Sequence, residues 1–303
     1  MTIRPARLRR VQLAVPGGNA RMAAKAAASR ADHVFLDLED SVAPSAKDVA
    51  RAAAVEALNT LDWGNKTRCV RINDLSSPHC YADIVAVVEG AGSRLDTIMV
   101  PKVTRAADVQ FVATLLGQIE ARHGLSRPIG IEVLIEEMQG LENVGTIARA
   151  HPRLEALILG MGDLSAAQGM DPSVLGASCA YPGDVWHHAR GLVVVAARAA
   201  GLDPIDGPFP AYGDVDAYAE QCRRAAILGF SGKWAIHPSQ IEPALDAFSP
   251  TAASVRQARA VADAYASAVR DGSGTATLDG MMIDAASVRM VAGTLRMAGL
   301  IGM

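Results

Sequence analysis

Short apolar segments alternate with longer alanine-rich segments along most of this chain. The first six apolar segments are rich in Val, Ile and Leu without strict polar alternation, which is typical of strands buried on both faces. The eight segments are Arg10 to Val15, His33 to Asp40, Thr67 to Asn73, Leu95 to Val103, Pro128 to Glu136, Ala156 to Leu164, Pro204 to Phe209 and Gly232 to Pro238. The last two patterns are weaker. A strand followed by a helix, repeated in this way, predicts a parallel β/α architecture.

Helical periodicity occupies the stretches between these strands. The predicted helices are Ala20 to Ser29, Pro44 to Leu58, Ala106 to Arg122, Gly140 to Arg149, Val185 to Ala200 and Val215 to Leu228. Eight units match the size of an α/β (β/α)₈ TIM barrel, which typically has about 250 residues. A doubly wound sheet is the alternative, but Pro16-Gly17-Gly18-Asn19 is not the glycine-rich dinucleotide fingerprint that would follow its first strand.

The end of the chain breaks this repeat. Pro250 to Arg270 and Ala285 to Met297 read as helices, and Asp279-Gly280 between them is a good hairpin turn. This tail is too small for an independent core. We therefore expect a catalytic barrel over residues 1–249 and a C-terminal helical and hairpin extension, a lid, over 250–303, docked on the barrel or on another subunit.

Composition excludes several classes of partner. The chain has 29 Lys and Arg against 32 Asp and Glu, a net charge of -3, with 4% aromatic residues, so no nucleic-acid footprint is expected. No uncharged stretch approaches the roughly 18 residues of a membrane helix, and no secretory signal is recognisable. The four cysteines are scattered without a C-x-x-C pair. They favour the reducing cytoplasm over a disulfide framework or a zinc site.

Charged residues concentrate where the predicted strands end. Active sites of β/α barrels form at the C-terminal ends of the strands. Acids that follow strands 2, 5 and 6 and cations that follow strands 3 and 4 should therefore meet at one mouth. They are Asp37, Glu39, Asp40, Arg71, Lys102, Glu136 and Asp163.

Several carboxylates in one cleft repel one another unless a cation lies among them. Oxygen ligands favour Mg²⁺, with Mn²⁺ as a substitute. Because Mg²⁺ usually takes only one or two protein carboxylates, we expect Glu136 and Asp163 as direct ligands. Glu39 and Asp40 would then hold metal-bound waters. The alternative is salt bridging without a metal, either Glu136 with Arg71 or Asp37 with Lys102.

Three further residues have competing interpretations. Glu132, deeper on the same strand face as Glu136, is expected to pair with a basic residue inside the barrel. Lys102 is either a charge partner of the carboxylates or the Schiff-base nucleophile of a metal-free aldolase. His237 is either a general base or, as we favour, an imidazole satisfied within a turn.

Several motifs in register resemble the citrate lyase beta subunit / malyl-CoA lyase family of the HpcH/HpaI aldolase superfamily. They are LDLEDSV (36–42), VRIN (70–73), MVPKV (99–103), GMGDL (160–164) and GKWAIHPSQ (232–240). The segments LDWGNK (61–66) and DGPF (206–209) are most similar to the malyl-CoA/β-methylmalyl-CoA lyase branch.

The resemblance implies a barrel assembled as trimers or hexamers that acts on a CoA thioester and a 2-oxo acid. The implied reaction is a Mg²⁺-dependent, reversible Claisen-type cleavage of an (S)-malyl-CoA-like thioester to acetyl-CoA, or propionyl-CoA, and glyoxylate. Alternatives within the family are a citrate lyase beta subunit that acts on a citryl thioester, a citramalyl-CoA lyase and a malyl-CoA thioesterase.

The resemblance also assigns roles to single residues. Glu136 and Asp163 match the Mg²⁺ ligands, and Arg71 matches an arginine that contacts substrate. Asp284 matches an acid/base residue that the tail delivers to a neighbouring subunit, although its position also suits a helix N-cap. The implied substrate- and CoA-binding residues are Arg21, Lys25, Lys102 and Asp37.

Two departures from the family pattern concern substrate binding. Some members carry an arginine where this chain has Asn19, so Arg21 and Lys25 are the cations left to meet CoA. The segment from Asp171 to Trp186 is shorter than expected and leaves the substrate open.

Overall fold

Eight parallel strands close into a barrel in chain order, with β8 paired to β1. The structure is a computed structural model that describes residues 4–175 and 181–303. The strands are β1 Val11–Pro16, β2 His33–Asp37, β3 Thr67–Arg71, β4 Thr97–Val100, β5 Gly130–Ile135, β6 Leu154–Leu159, β7 Asp203–Asp206 and β8 Gly232–Ala235. This topology confirms the predicted (β/α)₈ barrel.

Helices follow every strand. In chain order they are α1 Ala20–Ala27, α2 Lys47–Thr60, α3 Cys80–Ala91, α4 Ala106–His123, α5 Met138–Glu142, α6 Val144–Ile147, α7 Met161–Gln168, α8 His187–Ala199, α9 Val215–Leu228, α10 Ile241–Phe248, α11 Ala252–Arg270 and α12 Ala285–Ile301. Short 3₁₀ turns lie at Pro44–Ala46, Pro172–Leu175 and Pro238–Gln240.

Alanine at helical spacing lets the first helices pack closely. One face of α1 and one face of α2 are buried through small residues three or four positions apart. These residues are Ala23, Ala26 and Ala27 in α1 and Ala50, Ala54 and Ala57 in α2. The apolar strands are buried on both faces, as their composition predicts.

The strands end earlier than the apolar patterns suggest. Lys102 lies two residues beyond β4, and Glu136 follows β5 directly. Asp163 is not on β6, where the sequence pattern placed it, but in the first turn of α7. The helix α3 was also not predicted. Asp37 and Arg71 are the last residues of β2 and β3, and the other five charged residues of the predicted mouth lie beyond the strand ends.

An ion-pair network fills the base of the barrel. Glu132 accepts hydrogen bonds from Arg9 Nε at 3.1 Å and Gln12 Nε2 at 3.0 Å, and its Oε1 lies 3.1 Å from His33 Nε2. Burial would raise the pKa of Glu132, but His33 and Arg9 hold it far below its ordinary value. The expected pairing of Glu132 with a basic residue is confirmed.

The chain divides into two compact units, Met1–Phe248 and Ser249–Met303. In the second unit, α11 packs against α12 and against an antiparallel hairpin of β9 Ala276–Leu278 and β10 Met281–Ile283. Asp279 and Gly280 turn this hairpin with φ values of 49° and 74°, which confirms the hairpin prediction. The roles of catalytic barrel and lid stay predictions.

Two sequence expectations concern cysteines and membranes. Cys69, Cys80 and Cys222 are buried free thiols, and Cys179 lies outside the described residues. Within the described residues, no helix combines the length and the apolar character that crossing a membrane requires.

Candidate active site

A cavity of about 470 Å³ opens at the C-terminal ends of the strands. One part of its wall is apolar and the other carries charged side chains. The lining residues are Ala14, Val15, Pro16, Met22, Phe35, Asp37, Asp40, Ser41, Arg71, Glu136, Gly160, Gly162, Asp163, Pro208, Trp234 and Ile236. Five of the seven charged residues predicted for the mouth line this cavity.

Arg71, the last residue of β3, is held by carboxylates from β2 and the loop after it. Its Nε and Nη2 donate to the two oxygens of Asp37 at 2.6 and 2.8 Å. Its Nη1 lies 3.0 Å from Glu39 and 3.2 Å from Asp40. Burial would raise the pKa of Asp37, but the hydrogen bonds and charge of Arg71 lower it below its ordinary value. Arg71 therefore presents a permanent positive charge to the cavity.

An indole ring lies against the face of this guanidinium. Arg71 Cζ is 5.6 Å from the ring centroid of Trp234 on β8, within the range of a cation–π contact. Phe35 packs on the same indole at 4.5 Å between ring centroids. Trp234 and Phe35 both line the cavity, so its inner end is aromatic.

Lys102 bridges the acidic residues from a strained backbone position. Its φ of 51° lies in the left-handed region, which non-glycine residues adopt at a cost of about 1–3 kcal/mol. Its Nζ donates to Glu39 and lies 3.9 Å from Asp40 and 4.0 Å from Asp163. Burial would lower the pKa of Lys102, but Glu39 and the other acids raise it well above its ordinary value.

These ion pairs differ from the salt bridges that the sequence offered as an alternative to a metal. Arg71 pairs with Asp37 rather than with Glu136, and Lys102 pairs with Glu39 rather than with Asp37. Glu136 is consequently left without a basic side chain of its own within ion-pair distance among the described residues.

Glu136 is buried beside two other acids. Its Oε1 accepts the backbone N–H of Lys102 at 2.8 Å. Burial above all, together with the charges of Glu39 and Asp163, raises the pKa of Glu136 to about 8, against the lowering effects of the Lys102 N–H and of Arg71. Gly160 gives this carboxylate its space, because a Cβ there would lie 2.5 Å from Glu136 Oε2.

The arrangement of oxygen donors fits a hard divalent cation. Glu136 is buried, Asp163 is 45% exposed, and both line the same cavity. A cation between them would relieve the repulsion that raises the pKa of Glu136. Burial also raises the pKa of Glu39 to about 7. The seven charged residues of the mouth comprise five carboxylic acids and only two cations, Arg71 and Lys102.

A family model described as HpcH/HpaI aldolase/citrate lyase matches residues 10–238, which is most of the chain and nearly the whole barrel. The chain belongs to this HpcH/HpaI family. The predicted resemblance is thereby confirmed.

Two curated relatives of this chain are named for different reactions, a lyase and a thioesterase. L-malyl-CoA/beta-methylmalyl-CoA lyase of Cereibacter sphaeroides (strain ATCC 17025) is 43% identical over 307 residues, covering 98% of this chain and 96% of the relative. The (3S)-malyl-CoA thioesterase of Cereibacter sphaeroides (strain ATCC 17029) is 35% identical over 274 residues, covering 90% and 88%.

A solved structure has the same fold over nearly its full length. It is protein CitE from Mycobacterium tuberculosis in complex with magnesium, acetoacetate and coenzyme A. It is 30% identical, has a TM-score of 0.74 and covers 95% of this chain and 97% of that chain.

The residues that the HpcH/HpaI resemblance assigns to CoA lie on α1. Arg21 is in the first turn of this helix and Lys25 in the last, and both side chains are exposed. Asn19 caps the helix by accepting the N–H of Met22 at 3.0 Å. Met22 lines the cavity, so the start of α1 borders the mouth.

Asp284 lies in the C-terminal unit, where it is the N-cap of α12. Its Oδ1 accepts the backbone N–H of Ser287 at 2.9 Å and the hydroxyl of Ser287 at 3.0 Å. These hydrogen bonds lower the pKa of Asp284 below its ordinary value. The capping interpretation is confirmed.

His237 is satisfied locally, as expected. Its Nδ1 lies 2.8 Å from Ser239 Oγ and accepts the Ser239 N–H, while its ring stacks on Tyr212 at 4.8 Å. The sequence interpretation missed Trp234 as a lining residue. The available signal was its place in the GKWAIHP segment, one residue before the end of β8.

Proposed function

We propose that this chain is a Mg²⁺-dependent acyl-CoA lyase. It would cleave an (S)-malyl-CoA-like thioester reversibly to acetyl-CoA, or propionyl-CoA, and glyoxylate. The observation that carries this proposal is the 43% identity, over 98% of the chain, to an L-malyl-CoA/beta-methylmalyl-CoA lyase. The crowded acids around Arg71 in the cavity support it.

Glu136 and Asp163 would hold the metal, and Glu39 and Asp40 would hold its waters through hydrogen bonds. The oxygen donors suit Mg²⁺ and would also accept Mn²⁺. When bound, such an ion supplies Lewis acidity toward the oxygens of a 2-oxo acid. The relative's complex with magnesium supports the choice of metal.

Arg71 would stabilise the negative charge that develops on the thioester enolate or on the oxo acid. Its edge is already fixed by Asp37, so its charge needs little reorganisation during the reaction. Lys102 would orient Glu39 and bind substrate oxygen from the other side of the mouth. Asp37 thus contributes by holding Arg71.

Asp284 would move the proton at the acyl methyl group. Its hydrogen bonds from Ser287 keep it ionised, as a base must be before it accepts a proton. We propose that residues 250–303 serve as a lid that carries Asp284 to the barrel, residues 1–249, of a neighbouring subunit in a trimer or hexamer.

Arg21 and Lys25 would meet the phosphates of CoA. Both are exposed cations on α1, which borders the mouth through Met22. Such side chains bind phosphate because they are positively charged and donate several hydrogen bonds to its oxygens. The buried free thiols of Cys69, Cys80 and Cys222 support a reducing compartment, the cytoplasm.

A thioesterase is the second candidate, supported by the 35% identity to (3S)-malyl-CoA thioesterase. The experiment that separates the two is mass spectrometry of malyl-, methylmalyl- and citramalyl-CoA incubated with the protein and Mg²⁺. Acetyl-CoA or propionyl-CoA together with an oxo acid is the expected result. Free CoA as the sole thiol product would reject the lyase and select the thioesterase.

Two other reactions are tested by adding a citryl thioester, EDTA or borohydride to this assay. A citrate lyase beta subunit would yield oxaloacetate from a citryl thioester. Schiff-base chemistry through Lys102 would resist EDTA and allow borohydride trapping of an oxo acid. The raised pKa of Lys102 argues against it, because a protonated amine is not a nucleophile.

A further inference from the structure

A polar chain runs from the centre of the barrel to the cavity. Gln12 on β1 is fully buried and lies between Glu132 on β5 and Trp234 on β8. Gln12 and Trp234 are register partners across the β1–β8 pair. The proposed reaction leaves Gln12 and Trp234 without a role, although Trp234 lines the cavity.

The amide of Gln12 can point in only one direction. Its Nε2 donates to Glu132 Oε2 at 3.0 Å, and Glu132 also receives bonds from Arg9 and Thr97. An ionised carboxylate only accepts hydrogen bonds, so the amide nitrogen must face it. The amide oxygen must then face the other way, toward β8.

That oxygen fixes the plane of the indole. Trp234 Nε1 donates to Gln12 Oε1 at 2.8 Å, and an indole N–H has no other hydrogen-bonding capacity. Phe35 packs on the indole at 4.5 Å between centroids. The ring is therefore set by one hydrogen bond and one aromatic contact.

The indole ring in turn limits the orientation of the Arg71 guanidinium. The two bonds to Asp37 hold the Nε and Nη2 edge of the guanidinium, and Nη1 forms ion pairs with Glu39 at 3.0 Å and Asp40 at 3.2 Å. All of these carboxylates act on the guanidinium nitrogens. The indole lies against the face, with 5.6 Å between Arg71 Cζ and the ring centroid. The indole therefore adds a packing contact on the face of the guanidinium to the carboxylate contacts at its nitrogens.

We propose that Gln12 is a positioning residue that acts through Trp234 to fix the tilt of Arg71 toward the substrate. The inference rests on the proposed function, because it gives Arg71 the substrate-contacting role stated above. It predicts that Gln12, with no contact to the cavity, affects the chemical step.

The test compares Gln12→Leu, Trp234→Phe and the double variant in the full-length protein. Trp63→Phe is the matched control, since the buried Trp63 also donates its indole N–H, to Ala57 O at 3.1 Å, away from the cavity. We expect kcat for malyl-CoA to fall about tenfold in each single variant, with KM within about twofold, because Arg71 acts mainly on the transition state.

The double variant is the decisive measurement. If Gln12 acts through Trp234, the double variant loses no more than the larger single loss. The Mg²⁺ dissociation constant should stay within about twofold of wild type, because the indole N–H of Trp234 bonds to Gln12 and its ring packs on Phe35 and Arg71, none of which is a proposed metal ligand. Additive losses, or a kcat equal to that of Trp63→Phe in both single variants, would overturn the inference.

Two further outcomes are separable. If Gln12→Leu does not fold, Gln12→Met, which keeps the length of the side chain without its hydrogen-bonding groups, replaces it in the single and double variants. If the wild-type protein cleaves no thioester, the proposed function fails. Crystal structures of the variants then decide the inference, since a guanidinium tilt within about 10° of wild type rejects it.

Discussion

Glu136 accepts one backbone hydrogen bond from Lys102 and has two other acids as neighbours. We expect Glu136→Gln and Asp163→Asn each to abolish detectable Mg²⁺ binding and to lower turnover at least about 100-fold, a typical loss when transition-state stabilisation is removed. Isothermal titration with Mg²⁺ measures the binding.

Glu137→Gln is the matched control for this prediction. Glu137 is the next residue, but it begins α5 and does not line the cavity of Glu136. Its variant should bind Mg²⁺ as wild type does. Unchanged binding in Glu136→Gln or in Asp163→Asn would reject the ligand assignment.

Asp206 is a charged residue that stabilises the fold. It is fully buried at the end of β7, where it accepts bonds from Lys233 at 2.6 Å and from Arg190 at 3.0 Å. Asp206→Asn should lower the free energy of unfolding by about 3–5 kcal/mol, because it leaves Lys233 buried without its anion and Arg190 with Asp184 alone. The exposed Asp48, paired with Arg51, is the control, and Asp48→Asn should cost less than about 1 kcal/mol.

The same residue predicts a pH dependence. Burial would raise the pKa of Asp206, but Arg190 and Lys233 lower it below its ordinary value. A carboxyl with a depressed folded pKa contributes its full stability above the unfolded pKa of about 3.9 and loses it as the pH falls further. Urea unfolding of wild type and Asp206→Asn should therefore differ equally at pH 7 and pH 5. A difference that shrinks between these two values would contradict the assignment.

At the scale of elements, the closure of the barrel depends on a glycine at the start of β8. A Cβ on Gly232 would lie 1.7 Å from the backbone oxygen of Arg9, beside β1. Gly232→Ala should destabilise the fold by at least about 3 kcal/mol because the two strands must separate.

At Gly117, in the middle of α4, the same change to alanine should raise stability rather than lower it. A Cβ there meets only Arg153 Nη2 at 3.7 Å, an ordinary contact. Gly117→Ala should stabilise the protein by about 0.5–1 kcal/mol. Thermal unfolding of the two variants checks both signs, and a neutral Gly232→Ala would show that β1 and β8 can part without cost.

The strand order was predictable because parallel strands that are buried on both faces have continuous apolar sequences. The helix α3 was not, since Ile84, Val87 and Val88 give it the composition of a strand, and only packing against α2 and α4 makes it helical. Likewise, the predicted mouth residues do converge, but which acid pairs with which cation depends on differences of about an ångström between side-chain positions. Nothing in the sequence distinguishes Arg71–Asp37 from Arg71–Glu136.

At the scale of the whole molecule, the proposed sharing of sites between subunits has a direct test. Asp284→Asn and Glu136→Gln should each be inactive alone. If Asp284 serves a neighbouring barrel, coexpression of the two full-length variants should restore about a quarter of the sites, those that combine an intact barrel with an intact tail.

The control is coexpression of Glu136→Gln with Asp163→Asn. Both changes lie in the barrel unit, so no mixed assembly contains an intact barrel and activity should stay absent. Activity at background level in the first mixture would show that each subunit uses its own Asp284 or none.

The base of the barrel has a consequence for synthesis on the ribosome. Arg9 leaves the exit tunnel before its partners, because Glu132, Glu155 and Asp203 come 123, 146 and 194 residues later. Until then this arginine has no counter-charge of its own and β1 has no β8 to join. The nascent chain must therefore wait for nearly the whole barrel before its first strand is enclosed on both sides, which exposes that strand to chaperones for most of translation.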